Sequence, residues 1–181
     1  MRMIISIGGQ AGSGKSTTAT LLAKKLRYRH YSIGDLRRKM AKERGLTLAE
    51  LNRLGETQEF TDREADEYQR KLGKREDDFV IDGRASFFFI PHSVKVYLDA
   101  RLEVRAQRVY RDEKRQERFA SLEQARAALA ERERSDTKRY KKYYKLDWVD
   151  KGHYDLVIDT SDLRPEQVVE KILKFVKGRK G

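Results

Sequence analysis

The chain has 181 residues, no cysteine, and a formal net charge of +12, because 41 lysines and arginines outnumber 29 aspartates and glutamates. The length suits one domain with a substantial core, and the lack of cysteine excludes disulfides, thiolate metal sites and cysteine nucleophiles. No apolar run is long enough to cross a membrane and no signal-peptide pattern precedes the first strand, so we expect a cytoplasmic protein that does not bind membranes.

The basic excess is compatible with three interpretations. A basic face could bind nucleic acid, many cations could surround phosphorylated small substrates, or a charge-rich chain could reflect a hot environment. We favour phosphorylated substrates, since several arginines lie within motifs and only residues 177–181 resemble a loose basic tail. Nucleic acid is therefore not expected as a partner.

The first predicted elements are a buried strand at Met3–Ile7 and a helix at Thr17–Leu26, separated by a glycine-rich loop. The loop spans Gly9–Ser16 and fits the pattern glycine, four residues, Gly-Lys-Ser. Strand, loop and helix in this order direct backbone N–H groups at phosphate oxygens, with the lysine on the β- and γ-phosphates and the serine hydroxyl on Mg²⁺. We therefore predict that ATP, carrying Mg²⁺, is bound by Gly9, Gln10, Ala11, Gly12, Ser13, Gly14, Lys15, Ser16 and Thr17.

Helical patterns alternate with further apolar strands, which are predicted at Tyr28–Tyr31, Phe79–Asp82, Val94–Leu98 and Tyr154–Ile158. This alternation predicts an α/β fold of three layers, in which a five-stranded parallel sheet lies between helices. We expect one domain: residues 1–32, 76–108 and 146–181 form its core, residues 33–75 a helical insertion, and residues 109–145 a flap with the helix that follows it.

Helix boundaries in the two long connections are indicated by their capping residues. The insertion contains predicted helices at Leu36–Arg44, Leu48–Leu54 and Phe60–Leu72, and Thr47 with Glu50 forms a capping box for the second. Ser121 and Gln124 are expected to form a capping box at the start of the helix after the flap. The final helix is predicted at Pro165–Val176.

Two short motifs follow the second and third strands. Asp82-Gly83-Arg84 places a carboxylate where Mg²⁺ is commonly held, together with an arginine that can bind phosphate in a bidentate manner. The turn Ser32-Ile33-Gly34-Asp35 precedes Arg38. With the glycine-rich loop, these motifs resemble the layout of the nucleoside monophosphate kinases, and the resemblance implies that Arg38 binds the acceptor monophosphate.

The downstream half of the chain is more specifically similar to cytidylate kinases of the short, archaeal type. Gly83-Arg84 is followed by Pro91, Val94–Ala100 and Arg105-Ala106-Gln107-Arg108. Arg132, Asp136 and Arg139 then keep the spacing of the set that these enzymes place around CMP, and this spacing lies on one helix face. The larger insertion of the bacterial enzymes is missing, so its contacts cannot be transferred to this chain.

The resemblance implies transfer of the γ-phosphoryl group of ATP to CMP, and also to dCMP, by a monomer. The expected acceptor site consists of Ser32, Asp35, Arg38, Arg63, Arg84, Arg132, Asp136 and Arg139. Asp66 and Gln69, on the same helix as Arg63, are further candidates to recognise the base, although a solvated charged helix explains these three equally well. Ser16 and Asp82 are expected to hold Mg²⁺.

Other arginines are assigned to the donor and to the transferring group. Arg108 is expected to stack on the adenine of ATP, as the resemblance implies. Lys15 and Arg84, with Arg111 and Arg115 of the flap, are the candidate catalytic residues, and the sequence does not separate the last two from Arg118.

Two other functions stay open on sequence grounds. One is a kinase for AMP, UMP or dephospho-coenzyme A, and the other is an RNA-associated ATPase with an adenylate-kinase-like fold. The mixed basic and aromatic segment Arg139–Lys145 favours the second, but tyrosines packed in the core explain it at least as well. The histidines His30, His92 and His153 show no metal-ligand spacing and are given no function.

Overall fold

The computed structural model describes residues 3–113 and 117–179. The strands are β1 (Ile4–Gly9), β2 (Arg29–Ser32), β3 (Phe79–Asp82), β4 (Val94–Asp99) and β5 (Leu156–Asp159). The helices are α1 (Lys15–Leu26), α2 (Ile33–Glu43), α3 (Leu48–Gly55), α4 (Phe60–Arg75), α5 (Ser86–Phe89), α6 (Leu102–Arg111), α7 (Leu122–Tyr144) and α8 (Pro165–Gly178). A single 3₁₀ turn at Lys151–His153 precedes β5.

All five strands are parallel and lie in the order β2-β3-β1-β4-β5, which confirms the predicted α/β fold. The strand before the glycine-rich loop is therefore central, and its Ile7 lies opposite Asp82 of β3. Because the carboxyl ends of parallel strands meet at one edge of the sheet, the glycine-rich loop and the Asp82-Gly83-Arg84 turn are brought together there.

Each face of the sheet buries its own apolar cluster. Alternate residues of β1 point to opposite faces, so Ile5 and Ile7 pack beneath α1 and α8, whereas Ile4 packs beneath the insertion helices. Met40 and Leu51, both almost fully buried, belong to the second cluster. The insertion thus shares a core with the sheet.

The insertion consists of α2, α3 and α4, as the sequence predicts, but two boundaries are displaced by three residues, one of them the end of α4, which lies at Arg75 and not at Leu72. α2 begins at Ile33 and not at Leu36, because Ser32 caps its first turn by accepting a hydrogen bond from the backbone N–H of Asp35 at 3.4 Å. The predicted capping box of Thr47 and Glu50 is present at the start of α3.

The second long connection forms α6 and the 23-residue helix α7. Ser121 caps α7 as predicted, but the Gln124 side chain accepts from the N–H of Ala120, so the reciprocal half of the box is shifted by one residue. Tyr140 is buried with Trp148 beside the aromatic helix α5, so core packing accounts for part of the aromatic segment at the end of α7. Across the described ranges, no helix is both long and apolar enough to span a bilayer.

Candidate active site

The glycine-rich loop joins β1 to α1 and requires glycine at defined points. Gly12 and Gly14 have φ angles of 83° and 90°, and a Cβ on Gly12 would lie 2.7 Å from the carbonyl oxygen of Arg105. A Cβ on Gly14 would meet no described atom within 4 Å, so the first turn of α1 faces open space. The N–H groups of that turn are suited to binding phosphate oxygens.

The loop carries one cation, on Lys15. Its Nζ donates to the carbonyl oxygen of Gln10 at 2.6 Å, so the ammonium group lies across the loop. Residues 11–17 line the crevice above the loop, whereas Gly9 lies behind it, where a Cβ would be 2.2 Å from the carbonyl oxygen of Leu98. The loop therefore presents a cation and backbone donors to the same space.

Two oxygen-bearing side chains meet beside the loop. Ser16 Oγ donates to Asp82 Oδ1 at 2.9 Å, and Asp82 is buried at the end of β3. Hydroxyl and carboxylate oxygens suit Mg²⁺, which usually takes one or two protein ligands and completes its shell with phosphates and water. The described residues contain no group of three histidines, cysteines or acids that could form a protein-only metal cage. The pair fits Mg²⁺ delivered on nucleotide phosphates.

Asp82 has two more partners, one of which the sequence does not indicate. Ser32 Oγ donates to Oδ1 at 3.3 Å, and His30 Nε2 lies 2.8 Å from Oδ2. Both residues come from β2, where Ser32 is opposite Asp82 and His30 is opposite Val80. Ser32, expected at the acceptor, is thus directed to Asp82 and to the cap of α2. Only the pairing of β2 with β3 brings His30 to the site.

Arg108 lies at the far side of the loop, where the donor base is expected. It donates to the hydroxyl of Thr160 at 3.0 Å and to the carbonyl oxygen of Thr160 at 2.6 Å, and burial lowers its pKa from the usual value. Thr160, Leu163 and Pro165 line the crevice beside it. The sequence prediction missed these three, although Thr160 and Leu163 belong to the turn between β5 and α8, and Pro165 begins α8.

Arg105 links the loop to α7 and was not assigned a role from the sequence. Its guanidinium donates to the carbonyl oxygens of Ala100 and Ala11, at 3.0 and 3.3 Å, and pairs with Glu133. Glu133 is next to Arg132, so the helix that carries the expected acceptor residues is also bound to the donor loop.

The expected acceptor residues converge on Asp136, which is buried in α7. Arg84, from the turn after β3, and Arg139, one helical turn onward, both form ion pairs with its carboxylate. Although burial alone would raise the pKa of Asp136, Arg84 and Arg139 lower it, with a smaller contribution from Arg132. Arg84 Nη2 is buried and finds no hydrogen-bond acceptor in the described part of the chain, and Arg84 is one of the residues that line the crevice.

Asp62 connects this cluster to the insertion. It forms a salt bridge with Arg139 and accepts from Arg37 at 2.9 Å, while Arg37 also donates to Asn52 at 3.0 Å. Although burial alone would lower it, the carboxylates of Asp136 and Asp62 raise the pKa of Arg139 above its usual range. Arg37, which was not predicted, is therefore the buried arginine of α2.

Arg38, the predicted phosphate ligand, lies at the edge of the crevice. It donates to Asp35 at 2.8 Å, and its Nε is 3.8 Å from Glu117, on the described side of the flap. Arg38 and Asp35 both line the crevice, and Glu117 is a partner that the sequence did not indicate.

The structure does not bring Arg63 to the crevice. Arg63 is exposed on the outer face of α4 and pairs with Glu67 at 3.1 Å, one helical turn away. Asp66 and Gln69 lie on the opposite, buried face, where Tyr144 donates to Asp66 at 2.5 Å. Burial raises the pKa of Asp66 to about 7, although the Tyr144 hydrogen bond opposes the shift.

The two described flap arginines, Arg111 and Arg118, lie outside the crevice. Arg111 is exposed at the end of α6, and Arg118 donates to the carbonyl oxygen of Glu113 at 2.5 Å. Arg115 lies outside the described residues. The structure therefore does not place any of the three at the phosphate site.

The donor and acceptor groups share one crevice of about 750 Å³, which is the size of a small-molecule site. Its walls include Lys15 and Ser16 on one side, Arg38 and Arg84 on the other, and Arg132 with Arg139 along α7. The glycine-rich loop and the arginines around Asp136 therefore open into a single space.

Comparison with known proteins gives one family. The model of the "Cytidylate kinase-like family" matches residues 4–162. A "Cytidylate kinase" of Natronomonas pharaonis is 41% identical over 168 residues, covering 92% of this chain and 85% of that protein. A "Cytidylate kinase" of Methanobrevibacter smithii is 35% identical over 175 residues, covering 97% of this chain and 99% of that protein.

Solved structures support the fold alone, because their sequence identities are low. An uncharacterised protein from Eubacterium ventriosum superposes with a TM-score of 0.71 at 21% identity, covering 97% of this chain and 98% of that one. The shikimate kinase of Aquifex aeolicus has a TM-score of 0.59 at 22% identity, covering 98% of each chain.

Proposed function

Because the chain belongs to the cytidylate kinase-like family, we propose that it transfers the γ-phosphoryl group of ATP to CMP, which gives ADP and CDP. The observation that carries the proposal is the arginine cluster around Asp136, in the same crevice as the glycine-rich loop. A kinase that uses a nucleotide acceptor needs two phosphate sites facing one another, and an ATPase needs only one.

The cluster has the charge of a site for an anion. Four guanidinium groups, those of Arg37, Arg84, Arg132 and Arg139, surround the two carboxylates of Asp62 and Asp136. Burying surplus cations is unfavourable unless a further anion pairs with them. The acceptor monophosphate supplies that anion, and Arg84 and Arg139 are placed to bind it from two sides.

Mg²⁺ would be held by Ser16 and Asp82, together with ATP phosphates. Bound there, it would supply positive charge that offsets the negative charge developing on the transferring phosphoryl group. Lys15, which lies across the loop, would reach the same phosphates, and Asp82 is hydrogen-bonded by His30 and Ser32. Arg108, on the far side of the loop, is placed to stack on the adenine.

In this reaction the main task of the protein is to position two nucleotides, and proton transfer has little part in it. A phosphate oxygen of CMP forms a bond to the γ-phosphorus as the bond from that phosphorus to the β–γ bridging oxygen breaks. That nucleophile is already an anion, so no general base is required. The rate acceleration then comes from aligning the two nucleotides and neutralising the charge of their phosphates. Arg84, which touches Asp136 and faces the crevice, is placed to contact the transferring group.

Closure of the flap would complete the site. Arg111, Arg115 and Arg118 belong to residues 109–145, and inward motion of that segment would bring arginine side chains to the phosphates and exclude water. The helices α2 to α4, residues 33–75, would close from the acceptor side. We propose that both movements follow nucleotide binding.

We also propose that dCMP is accepted, that the chain acts as a monomer in the cytoplasm, and that nucleic acid is not a substrate. One chain contributes both halves of the crevice, so no second copy is needed to complete it. The basic excess is accounted for in part by arginines inside the site.

The proposal is tested by following ADP formation from MgATP with CMP, dCMP, UMP, AMP and dephospho-coenzyme A offered separately. We expect CMP and dCMP to give rates at least about tenfold above the control without acceptor, since specific acceptor contacts are realised in the transition state. Rates equal to that control would overturn the proposal, and ATP hydrolysis stimulated by RNA alone would support the ATPase instead.

A further inference from the structure

His30 lies beside the Ser16–Asp82 pair, and neither the sequence nor the proposed reaction assigns it a function of its own. Its imidazole lies between β2 and α1, with Nε2 at 2.8 Å from Asp82 Oδ2 and Nδ1 at 3.3 Å from Thr20 Oγ1. Because a carboxylate only accepts hydrogen bonds, Nε2 carries the hydrogen of the first contact. The hydrogen bond to Asp82 therefore holds the Nε2 edge of the ring, while Nδ1 lies beside the Thr20 hydroxyl.

The two oxygens of Asp82 have different partners. Oδ1 accepts from Ser16 at 2.9 Å and from Ser32 at 3.3 Å, whereas Oδ2 is bound by His30. Oδ1 is thus the oxygen that lies beside the other candidate ligand of Mg²⁺. Rotation of the carboxylate about its Cβ–Cγ bond would exchange the two oxygens, and the contact with His30 opposes that rotation.

The chain of contacts returns to the ligand pair. Thr20, which lies against His30, donates from Oγ1 to the backbone carbonyl oxygen of Ser16 at 2.8 Å. His30 is therefore connected to both proposed magnesium ligands, directly to Asp82 and through Thr20 to Ser16.

From these contacts we infer that His30 is a positioning residue for Mg²⁺: it holds Asp82 so that Oδ1 faces Ser16 and the cation. The inference rests on the proposed function, since it requires the Ser16–Asp82 pair to hold the metal of MgATP. Groups that orient a metal ligand commonly change metal affinity by about 10- to 100-fold when they are removed. His30→Ala should therefore weaken the contribution of Mg²⁺ to nucleotide binding by about tenfold.

The test is calorimetric titration of a non-hydrolysable ATP analogue, adenylyl imidodiphosphate, once with Mg²⁺ and once with EDTA. The dissociation constant in EDTA divided by the dissociation constant with Mg²⁺ isolates the contribution of the metal. We expect this ratio to fall about tenfold in His30→Ala, while binding in EDTA changes by less than about twofold. His30→Gln, whose side-chain N–H can reach the same oxygen, should retain most of the ratio.

His92→Ala is the matched control, because His92 is exposed in the turn before β4, at the opposite end of the sheet from the crevice. It should leave the ratio unchanged. An unchanged ratio in His30→Ala, or equal losses with and without Mg²⁺, would overturn the role of His30. If the wild-type protein gained nothing from Mg²⁺, the Ser16–Asp82 site would fail first, and phosphorylation of CMP would be judged separately by the acceptor panel.

Discussion

The donor half and the acceptor half of the crevice are built in different ways. The donor loop is mostly backbone: Gly12 and Gly14 adopt positive φ angles, and a single cation, Lys15, lies across the loop. The acceptor half is a network of buried side chains in which Arg139 and Arg84 share Asp136. Changes in the donor half should therefore affect catalysis with little effect on folding, whereas changes in the acceptor half should affect both.

The largest effect is expected at Lys15. Lys15→Met removes the cation over the phosphates but leaves the core intact, so kcat should fall by about 100-fold or more, as for the loss of other groups that stabilise transition-state charge. The thermal midpoint should remain near that of the wild-type protein. Steady-state ADP formation and a melting curve on the same sample check both parts, and near wild-type turnover would contradict the donor assignment.

Arg139 should affect stability as well as binding. Arg139→Met leaves Asp62 and Asp136 buried with fewer cations, and breaking such pairs typically lowers the free energy of unfolding by roughly 3 kcal/mol or more. Lys138→Met is the control, because Lys138 pairs with Glu56 on the exposed side of the same helix and should cost less than about 1 kcal/mol.

Urea unfolding at one pH compares these two variants, and titration with CMP should show that binding is lost only in Arg139→Met. Equal stability losses in the two variants would show that the buried ion pairs of Arg139 contribute no more to the free energy of unfolding than the exposed pair of Lys138.

Gly55 tests how closely the insertion must approach α7. A Cβ on Gly55 would lie 2.6 Å from Thr61 Oγ1 and 3.0 Å from Arg139 Cδ, so Gly55→Ala should lower the free energy of unfolding by about 1–3 kcal/mol. It should also raise the KM for CMP and leave the KM for ATP unchanged. Gly178→Ala, where no described atom lies within 4 Å of the added Cβ, should be neutral, and an equally neutral Gly55→Ala would refute the tight contact.

The smallest effect concerns pH. The pKa of Asp66 is raised by burial to about 7 in the folded state, from an ordinary value of 3.8. Between these values the folded state binds more protons than the unfolded state, so the stabilisation present at low pH is lost as the pH rises towards 7.

Asp66→Asn removes this titration. The stability of the wild-type protein relative to Asp66→Asn should fall by on the order of 1 kcal/mol per pH unit between pH 5 and pH 7, and then level off. Urea unfolding of both proteins at several pH values measures the difference. A constant difference across that range would mean that Asp66 is ionised in the folded protein.

The fold and the donor loop could be predicted because their signals are local. The spacing of Gly12, Gly14 and Lys15 lies within a few residues, and the apolar runs of the five strands are adjacent to their turns. The set Arg132, Asp136 and Arg139 could also be singled out, because its spacing resembles that of the cytidylate kinases and lies on one helix face.

The remaining contacts could not be predicted, since they join segments that are distant in sequence. Arg37 and Arg38 are neighbours on a highly charged helix, so the sequence does not show which of them is buried. Only the packing of α2 against α4 buries Arg37 beside Asp62. Arg63 was expected at the acceptor, but the rotation of α4 directs Asp66 inward in its place. His30 approaches Asp82 only through the parallel pairing of β2 with β3.

The central claim is that one crevice holds a donor and an acceptor nucleotide, and transfer of label tests it most directly. ATP carrying radioactive phosphorus in its γ-position is incubated with Mg²⁺ and CMP, and the products are separated. The account predicts that the label appears in CDP in wild-type protein and that this product is lost in Lys15→Met and in Arg139→Met. Label found only in inorganic phosphate, at the same rate with and without CMP, would contradict it.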